Sequence, residues 1–230
     1  MNGNGRAAQV ILSWSGGKDS ALALARLLDD PSIDVAGLMT TVTPAYDRVS
    51  IHGVRRSLLR AQAGSLGLPL YEIELEPVSS NEAYERAFEA AAGRLKTAMP
   101  EVDTLVFGDI FLEDVRAYRE KLAAATGFKV RFPLWGESTR DLADEVVIRS
   151  ISARLVCVDT MVLPATFSGR IYDASLIADL PGGIDPCGEN GEFHTFVSDG
   201  PGFRTPVEYA VGEVVLRDRR FAYCDLLDGN

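Results

Sequence analysis

The segment Val10-Ile11-Leu12-Ser13-Trp14-Ser15-Gly16-Gly17-Lys18-Asp19-Ser20-Ala21-Leu22 decides the fold. A short apolar run stops at a Ser-Gly-Gly turn, and behind it Ala21, Leu22, Leu24, Ala25, Leu27 and Leu28 recur at helical spacing. The pattern predicts strand, loop, helix. Residues 33–42 are again apolar and β-branched, and Val54, Leu58, Leu59, Ala61 and Leu66 return at helical intervals, so a second β-α unit follows. The alternation continues with a strand over 70–75, an Ala-rich helix over 81–98, a strand over 104–107 and a helix over 112–125. Repeated β-α units imply a parallel sheet covered on both faces, with ligands beyond the carboxyl ends of its strands. The loops after Trp14, Val42 and Phe107 are therefore expected to converge on one site.

After Arg131 the character of the chain changes. Phe132-Pro133-Leu134-Trp135-Gly136 interrupts the alternation, Ser138 is placed to cap a helix over 139–150, and 155–158 reads as a strand. Residues 181–206 are rich in Gly and Pro with little periodicity, and 207–216 and 221–226 read as strands. The expectation is an α/β chain in two parts, 1–132 and 133–230, the second a smaller annex that supplies loops to the site.

Composition narrows the class of partner. With 47% hydrophobic and 24% charged residues the chain has the makeup of a folded globular protein. A formal charge of −10 sets its average field against phosphate backbones and anionic lipid, so nucleic acid is a disfavoured partner. A nucleotide is held by local donors and a Mg²⁺ ion, which net charge does not prevent. Cys157, Cys187 and Cys224 form no Cys-x-x-Cys pair, no stretch approaches the roughly eighteen apolar residues of a membrane span, and residues 1–9 carry no apolar leader core. A cytoplasmic protein without a membrane anchor is expected.

Between strand and helix, Ser15-Gly16-Gly17-Lys18-Asp19-Ser20 combines glycines that admit phosphate to backbone N–H groups with hydroxyls and a lysine. The spacing is not that of a Walker A loop, because Lys18 is followed by Asp19 and not by Ser or Thr. A plain glycine turn with a helix cap would leave Lys18 and the second glycine unexplained. The segment Asp185-Pro186-Cys187-Gly188-Glu189-Asn190-Gly191-Glu192-Phe193-His194-Thr195 gathers two glutamates beside Asp185 and His194. It reads either as a solvated acidic turn or as a pair of carboxylates for acid–base work on an amine.

The first loop resembles the PP-loop ATP pyrophosphatases, and the second resembles the Glu-x-Gly-Glu element of the diphthine–ammonia ligase family, also called adenine nucleotide α-hydrolase-like. His52-Gly53-Val54-Arg55, Gly108-Asp109-Ile110, Pro133-Leu134-Trp135 and Gly169-Arg170 fit the same family, so the resemblance covers nearly the whole chain. It implies a HUP-type Rossmann-like parallel sheet binding ATP and a smaller C-terminal α+β domain binding the acceptor. By the same resemblance Ser15, Gly16, Gly17, Lys18 and Ser20 cradle pyrophosphate, Asp19 organises Mg²⁺, and Gly108 and Asp109 complete the nucleotide site. Lys18, Glu189, Glu192 and His194 are the implied catalytic residues. The implied reaction is adenylation of an acceptor carboxylate, with AMP and pyrophosphate as products, followed by amidation with ammonia. Diphthine on elongation factor 2 is the acceptor the family suggests, and a homodimer is one assembly open to it. Phe193-His194-Thr195 departs from the Tyr-Glu-Thr that tends to follow the element, which leaves the acceptor open.

Rival readings are a non-catalytic adenine-nucleotide sensor and a tRNA-thiolating enzyme with Cys187 as sulfur carrier. His52, Arg55 and Arg116 are further candidates for phosphate contact or loop structure, and Trp14 and Trp135 are expected in the core.

Overall fold

The computed structural model describes residues 7–49, 53–77 and 79–229. Strand β1 (Ala8–Ser13) turns through the glycine loop into α1 (Lys18–Leu28) and then β2 (Ile33–Thr43). The short β3 (Arg48–Val49), α2 (Arg56–Leu66), β4 (Leu70–Glu74), α3 (Asn81–Ala98), β5 (Thr104–Val106), α4 (Glu113–Ala125) and β6 (Lys129–Arg131) follow. Five of these strands form a parallel sheet in the order β4–β2–β1–β5–β6, with β3 antiparallel to the end of β2.

Period-two alternation along β1 separates two apolar clusters. Val10 and Leu12 pack with α1 and α2, whereas Ile11 packs with Phe88, Ala91 and Leu95 of α3 and Leu122 of α4. Helices on both faces satisfy a sheet whose centre is buried throughout. The chain runs from β1 outward to β2 and β4 on one side and to β5 and β6 on the other. The sheet's switch point therefore lies between β1 and β5.

The C-terminal region contains α5 (Thr139–Ile148), β7 (Ser152–Asp159), β8 (Ile171–Tyr172), α6 (Ala174–Asp179), β9 (Phe193–Asp199), β10 (Tyr209–Arg217) and β11 (Phe221–Asp228). Its strands make a separate antiparallel sheet around β7, which pairs with β8, β9 and β11. The architecture is thus α/β, a Rossmann-like parallel sheet followed by an antiparallel one. Ser138 caps α5 as its position predicts, accepting from the Asp141 amide. One expectation fails: 181–206 is not irregular throughout, because β9 runs through it. Phe193, Thr195, Phe196 and Val197 are all buried, so β9 carries no polar alternation by which to recognise it. Among the described residues no helix is long and apolar enough to cross a membrane.

The two regions share one core, in which Leu12, Trp14, Leu22 and Leu59 join Leu155, Phe196 and Val197. They are also stitched by polar bonds at the glycine loop. The Val197 amide donates to the Gly16 carbonyl at 2.9 Å, and the Lys18 amide donates to Thr195 Oγ1 at 3.0 Å. Gln62, buried completely, donates to the carbonyls of Gly16 and Val197 and accepts from Trp14 Nε1 at 2.9 Å. Gly16 has φ +79° and a Cβ there would lie 2.8 Å from Gln62 Oε1, so both backbone and space require glycine. Replacing Gln62 by Leu should orphan Trp14 Nε1 and the Val197 carbonyl and cost about 2–6 kcal/mol, at about 1–3 kcal/mol per buried unpaired group. A fall in the urea midpoint with unchanged slope is the expected measurement; an unchanged midpoint would refute the role given to Gln62.

Candidate functional site

At the carboxyl ends of β1, β2, β4 and β5 lie two adjoining cavities. The larger, about 490 Å³, is lined by Trp14, Met39, Thr40, Tyr84, Phe88 and Tyr118 among others. The smaller, about 210 Å³, is lined by Gly17, Lys18, Asp19, Ser20, Gly108, Asp109 and Glu189 among others. Ser13, Ser15, Phe107 and Arg119 line both. An apolar, aromatic chamber opening into a small polar one has the division that a nucleoside and its phosphates require.

Local chain chemistry builds the small chamber. Ser15 Oγ lies 3.2 Å from Ser20 Oγ and accepts from the Gly17 amide, which holds the turn ahead of α1. Gly108 passes so close to α1 that a Cβ would sit 3.1 Å from the Asp19 carbonyl. Glu189 arrives from the other half of the chain, its Oε1 accepting from the Ile110 amide at 2.8 Å. Asp185 shapes that incoming loop by accepting from the amides of Cys187 and Glu189.

The predicted residues do not all converge. Ser15, Gly17, Lys18, Asp19, Ser20, Gly108, Asp109, Glu189 and His194 line the small chamber. Gly16 sits behind it, its carbonyl turned to Gln62 and Val197. Glu192 is not among the lining residues: only 7% exposed, it accepts from the Asp185 amide and Asn190 Nδ2 and so braces its own loop. Lys18 is 1% exposed and donates to both carboxylate oxygens of Asp19 and to the Cys187 carbonyl, with the rings of Tyr172 and Phe193 about it. Burial opposes its charge, yet the Asp19 carboxylate, with Cys187 and Glu189, holds its pKa above the ordinary lysine value.

Arg55 pairs with Asp225 and the Leu226 carbonyl, tying α2 to β11, while His52 lies outside the described residues. Arg116 bonds Glu120 one turn on and stacks over Phe132 and Trp135, away from both chambers. Trp14 is core as expected, whereas Trp135 is half-buried. Gln62, Tyr118 and Arg119 are the residues that sequence reasoning missed. A helical wheel of α4 carries the signal, since Val115, Tyr118, Arg119 and Leu122 fall on one face and Leu122 is buried.

Three carboxylates face the small chamber, and they feel one another. Burial and the charges of Asp19 and Asp109, against the Ile110 hydrogen bond and Lys18, push Glu189 up to about 7. Burial also raises Asp109 despite Arg119 nearby. Such crowding favours a cation, and an oxygen-only set suits magnesium, which takes one or two carboxylates and completes its shell from phosphates and water. Among the described residues no cluster of three or more His, Cys, Asp or Glu is placed to hold a metal by itself. The Cys187 thiol is buried, bonded to the Thr139 carbonyl and pushed up to about 12 mainly by burial, the opposite of what a sulfur carrier needs.

Fold and site together define a Rossmann-like α/β protein with a glycine loop at its switch point, closed over by an acidic loop from the second half of the chain. The chain belongs to the diphthamide synthase family: the family's N-terminal domain matches residues 8–130 and its C-terminal domain residues 138–225. It is 25% identical over 225 residues to the diphthine–ammonia ligase of Schizosaccharomyces pombe. That match takes in 90% of this chain and 37% of the yeast protein, so the chain spans little more than a third of this relative's length.

Burial and the Lys18 ammonium push His194 down to about 4. The unfolded chain binds a proton near pH 6.5 and the folded one only near 4, so stability should be lost as pH falls between these values and level off above them. The His194 share of that loss should reach about 3 kcal/mol. Glu189, held high, contributes with the opposite sign over much of the same range, so the His194 effect is read by difference. In urea titrations across pH 4–7 the native protein should lose more stability on acidification than His194→Gln; parallel curves would refute it.

Proposed function

We propose that this chain is an ATP-dependent, AMP-forming ligase that activates an acceptor carboxylate and amidates it with ammonia. One observation carries the reading: the glycine loop and Glu189, from opposite halves of the chain, face the same small chamber beside an apolar one. In this reading residues 1–132 bind the nucleotide and residues 133–230 bring the acceptor to it. The relative's name supplies the acceptor class, a diphthine-like carboxylate on a protein.

The acceptor oxygen attacks the α-phosphorus, and the bond to the β-phosphate breaks to release pyrophosphate. Ammonia then attacks the acyl carbon, the bond to AMP breaks, and the nitrogen loses a proton. Asp19 would meet a magnesium ion carried with the nucleotide, which would neutralise the leaving pyrophosphate. Ser15, Gly17 and Ser20 hold the phosphates through hydroxyl and backbone donors at the start of α1. Glu189, near neutrality at about 7, is the group suited to take the ammonium proton. Lys18 and Glu192 act through position, since one clamps the acidic loop to α1 and the other braces that loop internally.

Phosphorus NMR with Mg-ATP, ammonium and a diphthine-bearing acceptor protein is the test. AMP and pyrophosphate should appear only when the acceptor is present, and Glu189→Gln should lower turnover by about 100-fold or more with ATP affinity kept. ADP and phosphate as products would sink the proposal. Tight ATP binding without acceptor-dependent turnover would replace it with a nucleotide sensor.

A further inference from the structure

Among the described residues, three buried side-chain polar atoms have no hydrogen-bond partner: Tyr118 Oη, Arg119 Nε and Glu192 Oε2. Orphaned buried donors are rare in native proteins and call for an explanation. Two of the three belong to adjacent residues of α4, and both residues line the larger chamber. Arg119 lines the smaller one as well, so it stands where the two chambers meet.

The charges around the smaller chamber make this position significant. Its lining holds Asp19, Asp109 and Glu189, and its cations are Lys18 and Arg119. Lys18 is engaged with Asp19 and the Cys187 carbonyl, so its donors are already taken up. Arg119 donates from Nη1 to Tyr84 Oη at 3.1 Å and lies over the Phe107 ring at 5.1 Å. Its approach to Asp109 is 3.8 Å, too long for a hydrogen bond. The guanidinium is therefore held in place by Tyr84, Phe107 and an ion pair with Asp109, while its buried Nε makes no hydrogen bond.

We propose that Arg119 is the contact for the α-phosphate of the bound nucleotide, positioned by Tyr84 and Phe107, and that the Tyr118 hydroxyl bonds the nucleoside next to it. The assignment rests on the nucleotide reading above. With the nucleoside in the apolar chamber and the β- and γ-phosphates at the glycine loop, the α-phosphate falls at the seam that Ser13, Ser15, Phe107 and Arg119 share. A guanidinium there meets the oxygens on which negative charge builds as the acceptor attacks phosphorus, a place where a charged donor is most effective.

Calorimetric titration with adenosine, AMP and Mg-ATP separates the possibilities. The native protein should bind AMP about tenfold or more tighter than adenosine, the gain of a charge-assisted contact. Arg119→Gln should bring AMP down to the adenosine level with adenosine binding kept, and Arg119→Lys should restore part of the preference. Tyr118→Phe should weaken adenosine and AMP by the same factor. An Arg119→Gln protein that keeps the native preference for AMP overturns the proposal, as does one that loses adenosine and AMP equally, which would make Arg119 a support of the chamber wall. Native protein that binds none of the three ligands overturns the nucleotide reading itself, a result distinct from either.

Discussion

The glycine loop is finished by a strand that comes almost two hundred residues later in the chain. Val197 donates to Gly16, Thr195 accepts from Lys18, and Gln62 joins both sides of the seam. These bonds satisfy buried backbone groups that water cannot reach, so the loop and β9 must form together or leave several polar groups unpaired. The shared apolar core is consistent with this dependence, since Trp14 and Val197 belong to the same cluster. The geometry of the glycine loop is therefore a property of the assembled chain and not of its N-terminal half.

The same closure determines the electrostatics. Bringing the acidic loop against α1 places Glu189 near Asp19 and Asp109, and burial then makes the Glu189 and Asp109 carboxylates costly to ionise. Lys18 relieves part of that cost from within, but in doing so it becomes a strut between α1 and the Cys187 carbonyl. In the proposed reading, a polyphosphate that brings its own divalent cation suits such a chamber better than a bare one, and local donors rather than the field of the whole acidic protein would hold it.

Much of this was readable in the residues themselves. Apolar and β-branched runs located β1 and β2, helical spacing located α1, an Ala-rich run α3 and the Ser138 cap α5. Elsewhere recognition fails: β9 falls in a Gly- and Pro-rich stretch with no alternation, and β6 is three residues long with Lys129 and Arg131 exposed. In the site, the glycine loop was legible because its chemistry is local and contiguous. Gln62 was not, because an isolated polar residue on a helix looks the same whether it faces solvent or a chamber, and Arg119 stands out only once the α4 face it shares with Val115, Tyr118 and Leu122 is drawn.

The sequence by itself determined the α/β alternation, the strand–loop–helix around the glycine turn, and the presence of a second, carboxylate-rich loop, since these follow from spacing and from the few residues each backbone turn permits. Only the tertiary structure decided what those groups do to one another. It turned Glu189 into the chamber and Glu192 away from it, spent Lys18 on a clamp and left Arg119 at the junction, because side-chain direction depends on which neighbours are buried beside each residue and no linear pattern records that.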